Sequence, residues 1–196
     1  MKNNNQLKIL IAGSNSFCGL ALSKFFIKKK TIIVGTYNKK KTKIRSKYFI
    51  SKKVDLTKKI FLNENFNTLI HISSHHKIND FKKSPLKKYN ENILMTKNLI
   101  QFAKKNKIKN LIFFSTIDIK KNVTPVKKKY YINSKIKSES LYSSSLNKKI
   151  FQKFLFLRLP AILGKNCNDN FLKNTIKSLK KNKTINIWDE KKLFNN

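Results

Sequence analysis

The chain has 196 residues, of which 40% are hydrophobic, and it carries a formal net charge of +36. This length suffices for one domain, or for one domain and part of a second, with a real hydrophobic core. No apolar run approaches the roughly 20 residues of a membrane-spanning helix, and the N-terminus lacks a signal-peptide core and cleavage site, so we expect a cytoplasmic protein with no membrane partner.

The positive charge has two interpretations. A polycation of this size binds nucleic acid at low salt, but only Arg45 and Arg158 among the 45 basic residues are arginine, and the lysines are spread through every segment. Such an even distribution is typical of compositional drift toward Lys, Asn and Ile. A surface selected for nucleic acid would favour arginine, which makes bidentate and stacked contacts. We therefore expect only non-specific binding to nucleic acid.

Apolar segments of strand length alternate with segments of helical period along the chain. Strands are predicted at residues 8–12, 31–36, 68–72, 111–115 and 154–159. Helices are predicted at residues 17–29, 90–105, 130–144 and 170–181, with a weaker one around 56–61. This alternation predicts a doubly wound, Rossmann-like α/β fold, with a parallel sheet covered by helices on both faces. Ligands of such folds bind outside the carboxyl ends of the strands.

The first predicted strand is followed by GSNSFCG, in which Gly13 and Gly19 bracket Ser16. A glycine at the middle position would let the backbone approach a pyrophosphate closely, whereas Ser16 reduces that closeness but has a hydroxyl that can donate to a phosphate. The free amides at the start of the following helix also favour an anion. A tight strand-to-helix turn without any ligand explains the same spacing, so this motif alone leaves both interpretations open.

The segment after the second strand has no acidic residue to bind the ribose hydroxyls of NAD. Asn38 and Lys39 suit the 2′-phosphate of NADP instead. The sequence therefore predicts NAD or NADP as the cofactor, with a slight preference for NADP. Asp55 is one of only nine acidic residues and stands where a strand gives way to the weak helix. It either accepts a hydrogen bond from an adenine amino group or caps that helix.

The segment YYINSKIKSE places Tyr131 and Lys135 four residues apart, on one face of a predicted helix. The ordinary pKa of a tyrosine is about 10, and a nearby ammonium would lower it by stabilising the phenolate. Upstream, a predicted central strand ends in Ser115, followed by Thr116, and these hydroxyls stand where one could bond a substrate oxygen. A Tyr-x-x-x-Lys match also arises by chance in a lysine-rich chain. The order of all the motifs along the chain is therefore stronger evidence for a catalytic site than this single match.

Taken in order, the motifs resemble those of the extended short-chain dehydrogenase/reductase family, the NAD(P)-dependent nucleotide-sugar epimerases, dehydratases and reductases. The similarity is carried by GSNSFCG, VDL, LIHISS, NENILMTKNLIQFAKK, FFSTIDI, YINSKIKSE and LRLPAILG, which span nearly the whole chain. It implies an NAD(P)-binding domain at residues 1–165 and, at 166–196, the beginning of a truncated substrate-binding lobe. It also implies a nucleotide-sugar substrate and a homodimer.

The resemblance implies roles for the matching residues. The residues that would contact the cofactor are Gly13, Asn15, Ser16, Phe17, Gly19, Asp55, Leu56, Ser73, Ser74, Asn92, Tyr131, Lys135, Leu159 and Ile162. Tyr131 would be the acid/base, Lys135 would modify its pKa, and Thr116, with Ser115 as substitute, would be the hydroxyl partner. Tyr131 would then move a hydroxyl proton while hydride passes between a sugar carbon and the nicotinamide.

Three features depart from the family pattern: Ser16 in the first loop, the short connection between Thr116 and Tyr131, and the early end of the chain. A dehydratase would usually have an acidic pair after the threonine, but Ile117 takes the first of those positions. Dehydration is therefore the least expected reaction, while epimerase and reductase activity stay open.

A non-catalytic NAD(P)-binding protein and a polycationic nucleic-acid binder on a dehydrogenase scaffold are the alternatives to an enzyme. No metal site is predicted, because the histidines have no acidic or cysteine partner nearby.

Overall fold

The computed structural model describes residues 8–120, 128–160, 162–164, 167 and 171–185. The chain divides into two compact units, Met1–Pro160 and Ala161–Asn196. The domain boundary expected between residues 165 and 166 concerns function and remains a prediction.

The first unit contains a parallel sheet of six strands, formed by the most apolar segments of the chain. The strands are β1 (Lys8–Ala12), β2 (Ile32–Tyr37), β3 (Phe49–Lys53), β4 (Thr68–His71), β5 (Asn110–Thr116) and β6 (Lys153–Leu159). Their order across the sheet is β3-β2-β1-β4-β5-β6, and every pair is parallel. The order reverses between β1 and β4, which is the point where doubly wound sheets bind their ligands.

Helices connect β1 to β2, β4 to β5 and β5 to β6, and they cover both faces of the sheet. They are α1 (Phe17–Lys28), α2 (Ile78–Lys83), α3 (Pro85–Lys105) and α4 (Lys129–Asn147), and a turn of 3₁₀ helix follows β5 at Ile117–Lys120. One core cluster joins the sheet to α3 and α4 through residues such as Leu99 and Tyr142, which are fully buried. A second cluster, on the opposite face, joins Ile11 and Ile33 to α1. The Rossmann-like α/β fold predicted from the sequence is thus confirmed.

Several predicted elements differ from the observed ones. The helix predicted around residues 56–61 is wrong, because the Asp55 carboxylate accepts hydrogen bonds from both the backbone N and the Oγ1 of Thr57 and so forms a turn. Leu56 and Ile60 instead pack into the core. Strand β3 was implied only by the position of Asp55 and was given no bounds, and α2 was not predicted, since both are short and polar. Helix α3 begins at Pro85 rather than at residue 90, as proline is well suited to a first helical position.

The second unit contains the helix α5 (Phe171–Leu179). Lys173 Nζ donates to the Cys167 carbonyl over 2.6 Å. Leu172, Ile176 and Leu179 recur at helical spacing and are each about half exposed. No helix in the described part of the chain combines the length and the apolar character needed to cross a membrane.

Candidate active site

Two loops meet at the carboxyl edge of the sheet, one after β1 and one after β4. Gly13 has a φ of +96°, and a Cβ atom at this position would lie 2.9 Å from the backbone nitrogen of Ser73. A Cβ on Gly19 would overlap the Gly13 carbonyl oxygen. Both positions therefore require glycine, and the structure brings Gly13, Gly19 and Ser73 together at this edge, while their contacts with a cofactor stay a prediction.

Ser16 caps the first helix. Its Oγ donates to the Gly13 carbonyl over 2.8 Å and accepts from the Gly19 amide at 3.1 Å. The hydroxyl proton that was expected to reach a phosphate is thus already used within the loop. The amides of Phe17 and Cys18 have no acceptor within the described residues, so the start of α1 retains donors for an anion.

The loop after β2 is tied to the first loop. Asn15 Nδ2 donates to the Lys40 carbonyl over 2.9 Å, and the side chains of Asn38 and Lys39 are exposed just before it. This loop therefore lies beside the turn of Gly13. Its exposed Asn38 and Lys39 have the donors and the charge that a 2′-phosphate needs.

Asp55 and Leu56 follow β3. The hydrogen bond from Thr57 Oγ1 is the main cause that lowers the pKa of the Asp55 carboxyl. The expected helix cap is absent because no helix follows, and the suggested adenine contact stays a prediction. Leu56 is only 6% exposed and belongs to the core, which leaves little of its side chain for a ligand.

Asn92 on α3 fixes the loop after β4. Its Oδ1 accepts from the His75 amide at 2.7 Å, and its Nδ2 donates to the His75 carbonyl at 3.1 Å. The same Nδ2 donates to Ser134 Oγ at 3.0 Å, and Ser134 Oγ donates to the Tyr131 carbonyl at 2.7 Å. Asn92 thus links the segment of Ser73 and Ser74 to the turn of α4 that begins at Tyr131.

Tyr131 and Lys135 lie one turn apart on α4, as their spacing predicted. Lys135 is only 3% exposed, and its Nζ donates to the Phe114 carbonyl of β5 over 2.7 Å. The same Nζ lies 4.7 Å from the centroid of the Phe113 ring and 5.9 Å from that of Tyr131. Tyr131 in turn packs edge-on against Phe81 of α2.

Burial controls the ionisation of this pair. It raises the pKa of Tyr131 to about 12, and the nearby Asp118 carboxylate adds to the increase. It lowers the pKa of Lys135 to about 7, with Glu139 acting in the opposite direction. The sequence predicted that Lys135 would lower the pKa of Tyr131. For the chain by itself this decrease is not found, because desolvation of the phenolate dominates.

The two hydroxyls at the end of β5 have different surroundings. Ser115 shares the sheet face of Leu111 and Phe113, which packs on α3 and α4, and its buried Oγ has no partner in the described part of the chain. Thr116 Oγ1 accepts a bond from the Asp118 amide at 3.3 Å. Because Lys135 Nζ donates to the Phe114 carbonyl, the end of β5 that carries both residues lies beside the first turns of α4.

The sequence analysis missed one residue of this region, and its predicted cofactor contacts, Leu159 and Ile162 among them, stay predictions. Ser134 was not predicted, although it stands three residues after Tyr131 on the same helix face and is fully buried. Leu159 ends β6, while Ile162 belongs to the second unit and is 37% exposed. Among the described residues, no three His, Cys, Asp or Glu side chains are grouped so as to hold a metal ion.

This arrangement of a glycine loop, a Tyr-x-x-x-Lys helix and a hydroxyl-bearing strand was compared with known proteins. The model of the NAD dependent epimerase/dehydratase family matches residues 9–193. The chain belongs to this family. Comparison with curated proteins gave no significant match.

Solved structures of low sequence identity share the fold. UDP-glucose 4-epimerase from Thermotoga maritima, with UDP-glucose, has a TM-score of 0.77 at 15% identity, over 94% of this chain and 66% of that one. The Thermus thermophilus UDP-glucose 4-epimerase complex with NAD has a TM-score of 0.71 at 15% identity, over 91% and 64%. The NDP-hexosamine 5,6-dehydratase TunA has a TM-score of 0.71 at 14% identity, over 89% and 61%. The chain therefore spans about three fifths of the length of these structures.

Proposed function

We propose that the chain is an NAD(P)-dependent epimerase or reductase that acts on a nucleotide-sugar hydroxyl or keto group, with Tyr131 as acid/base. One observation carries the proposal: α4 presents Tyr131 and the buried Lys135 beside the end of β5, and Lys135 Nζ is anchored 2.7 Å from the Phe114 carbonyl. Thr116 and Ser115, directly after Phe114, supply hydroxyls at the same edge.

The loop geometry fits a dinucleotide. Gly13 and Gly19 let the loop after β1 pack closely, since a Cβ atom on Gly13 would collide with the Ser73 backbone and one on Gly19 with the Gly13 carbonyl. The amides of Phe17 and Cys18 stand at the positive end of α1. These amides would hold the anionic part of the cofactor. The two relatives described above with NAD and with UDP-glucose support this choice of cofactor and substrate class.

Different residues of the chain would bind the cofactor, orient the substrate and transfer the proton. When bound, the nicotinamide ring supplies the hydride chemistry. Lys135 would bind a ribose hydroxyl through the ammonium hydrogens that the Phe114 carbonyl leaves free. Tyr131 would hold or release a proton at its phenolic oxygen, while Thr116 Oγ1 would orient the substrate oxygen. The three side chains come from two neighbouring elements, so their spacing does not depend on a mobile loop.

NADP is the cofactor we favour over NAD. Lys39 and Asn38 are exposed after β2, no carboxylate stands in the NKKK segment that they begin, and Asn15 ties that segment to the glycine loop. A 2′-phosphate would pair with the Lys39 ammonium. We expect the Lys39→Glu variant to lose its preference for NADP over NAD by about tenfold or more, whereas Lys53→Glu on β3 should leave the ratio unchanged.

The test is calorimetric titration of the full chain with NAD(H) and NADP(H) at about 0.3 M salt, where loose binding of anions to lysines is suppressed. We expect one saturable site. UDP-glucose is then added with the bound cofactor, and formation of its 4-epimer or of reduced nicotinamide is followed. The Tyr131→Phe variant should bind the cofactor but lose turnover by at least about a hundredfold, while Tyr130→Phe should keep it. Absence of cofactor binding would overturn the proposal.

A second candidate is cofactor binding without catalysis. The observation in its favour is the pKa of Tyr131, which burial raises to about 12 and which therefore opposes proton release near neutrality. This candidate predicts that the same titration shows one saturable site and that Tyr131→Phe changes no activity toward UDP-glucose or other sugar nucleotides. A homodimer formed through α3 and α4 is part of our proposal, and analytical ultracentrifugation would test it.

A further inference from the structure

The ammonium of Lys135 lies in surroundings that contain few charges. Its single hydrogen bond in the described structure goes to the Phe114 carbonyl. The nearest carboxylate on its own helix, Glu139, is held by Arg158, which donates to its two oxygens over 3.2 and 2.7 Å. The charged form of Lys135 therefore depends on groups other than a carboxylate contact.

The closest such group is the ring of Phe113. Lys135 Nζ lies 4.7 Å from the centroid of that ring, within the distance at which the electron-rich face attracts a cation. The Tyr131 ring, at 5.9 Å, is the more distant of the two. Because the site is desolvated, the attraction is worth more here than at a protein surface.

The Phe113 ring is itself packed against two other rings. Its centroid lies 5.1 Å from the His71 ring and 5.2 Å from the Tyr142 ring. His71 Nδ1 and Tyr142 Oη are joined by a hydrogen bond of 2.8 Å, and both side chains are buried. Tyr142 stands seven residues after Lys135, two turns along the same face of α4. We call Phe113, His71 and Tyr142 the ring cluster.

The ionisation of His71 agrees with this arrangement. Burial, with the charge of Lys135 acting in the same direction, lowers the pKa of His71 to about 3, so the imidazole is neutral at physiological pH. A charged His71 would repel the Lys135 ammonium, which lies over the Phe113 ring that His71 also contacts. The other titratable groups around Lys135 are Tyr131, Glu139 with its partner Arg158, and Tyr142.

We propose that Phe113 is a positioning residue for Lys135, whose ammonium it holds by its ring face against the Phe114 carbonyl, and that the His71–Tyr142 pair fixes that ring. The inference rests on the proposed function, in which the Lys135 ammonium binds the cofactor. It adds that the affinity for the cofactor depends on the electron density of one aromatic ring that does not itself contact the ligand.

The experiment replaces Phe113 by phenylalanine analogues with one and then three ring fluorines, introduced at this codon alone. Fluorination withdraws electron density from the ring face and changes its shape little. The matched control is the same series at Phe66, a core residue 5% exposed that packs on Phe102. The dissociation constant of NADPH, or of NADH if the wild type binds only that one, is measured for each chain from about pH 5 to pH 9, a range that spans the titration of a lysine perturbed to neutral pH.

We expect the affinity to fall as the pH rises through the titration of Lys135. Each added fluorine at Phe113 should move that fall to lower pH, by about one unit for the trifluoro ring, which is about a tenfold change in the protonation equilibrium. The Phe66 series should keep the wild-type midpoint.

Equal midpoints in the Phe113 and Phe66 series would overturn the inference and leave the proposed function intact. A wild-type chain that binds neither NADH nor NADPH would instead overturn the proposed function, and the inference with it. Phe113→Leu, measured in parallel, should shift the midpoint in the same direction as fluorination. A wild-type midpoint in a folded Phe113→Leu chain would likewise contradict the role of the ring.

Discussion

Asn92 Nδ2 donates to Ser134 Oγ over 3.0 Å and so joins α3 to the turn of α4 that begins at Tyr131. The same amide holds the backbone of His75 at both its N–H and its carbonyl. One buried side chain therefore determines the relative placement of the loop after β4 and the candidate acid/base helix.

Replacing the Asn92 side chain should destabilise the folded chain. We expect Asn92→Ala to lower the free energy of unfolding by roughly 2–4 kcal/mol, because it leaves the His75 backbone groups and the Ser134 hydroxyl without a partner in a buried site. Urea denaturation measures the change. The control is Asn98→Ala on the same helix, whose amide donates to the Leu56 and Lys58 carbonyls nearer the surface and should cost about 1 kcal/mol. Equal losses in the two variants would contradict the role given to Asn92.

The glycine loop should tolerate no added methyl group at Gly19. A Cβ there would overlap the Gly13 carbonyl, so the loop after β1 and the start of α1 have to move apart in the Gly19→Ala variant. We expect a loss of about 1–3 kcal/mol in stability and a loss of detectable cofactor binding at micromolar protein. Thermal unfolding and calorimetry measure the two effects. Asn15→Ala, in the same loop but exposed, should change stability by less than about 1 kcal/mol. A Gly19→Ala chain that binds NAD(H) or NADP(H) as the wild type does would refute the proposed role of the glycine loop.

Lys135 should make stability depend on pH in the alkaline range. Its pKa is lowered by burial from 10.5 to about 7. Between these two values the unfolded chain binds a proton that the folded chain does not, so the stability of the wild type rises with pH across this window. Below about pH 7 Lys135 is protonated in both the folded and the unfolded chain, and the burial of its charge lowers the stability by the full amount.

The Lys135→Met variant lacks that penalty. It should therefore be more stable than the wild type by roughly 2–4 kcal/mol at pH 6, and the advantage should shrink steadily toward pH 10. Lys137→Met, an exposed position on the same helix, removes the same charge and should show a small difference that does not vary with pH. Guanidinium unfolding across this range measures both, and a constant difference for Lys135→Met would contradict the perturbed pKa.

His71 should contribute to acid sensitivity. Its pKa falls from 6.5 to about 3 on folding, so below pH 6.5 the unfolded chain binds a proton that the folded chain excludes, and stability decreases as the pH falls toward 3. The double variant His71→Phe with Tyr142→Phe removes both members of the buried hydrogen bond. We expect a weaker loss of stability between pH 6.5 and pH 4 than in the wild type. His76→Gln, at an exposed position, should keep the wild-type slope, and an unchanged slope in the double variant would disprove the assignment.

The fold could be predicted from the sequence because its main elements obey strong local rules. Strand β1 is almost wholly apolar, as parallel strands covered on both faces must be, and the Gly13-to-Gly19 spacing marks the turn that follows. The elements that were missed had weak local signals. Strand β3 lies at the sheet edge and ends in Lys52 and Lys53, and the segment after Asp55 has helical period but is diverted into a turn by one carboxylate.

The sequence by itself determined the order of the motifs, and with it the family, the doubly wound topology and the proximity of Tyr131 to Lys135, because residues four apart on a helix always share a face. Only the tertiary structure decided how these groups ionise and which partners hold them. Phe113, His71 and Tyr142 are distant in sequence and meet around Lys135 through strand pairing and helix packing. The pKa values of Tyr131 and Lys135 follow from that burial, because the free energy of a charge depends on everything that replaces water around it.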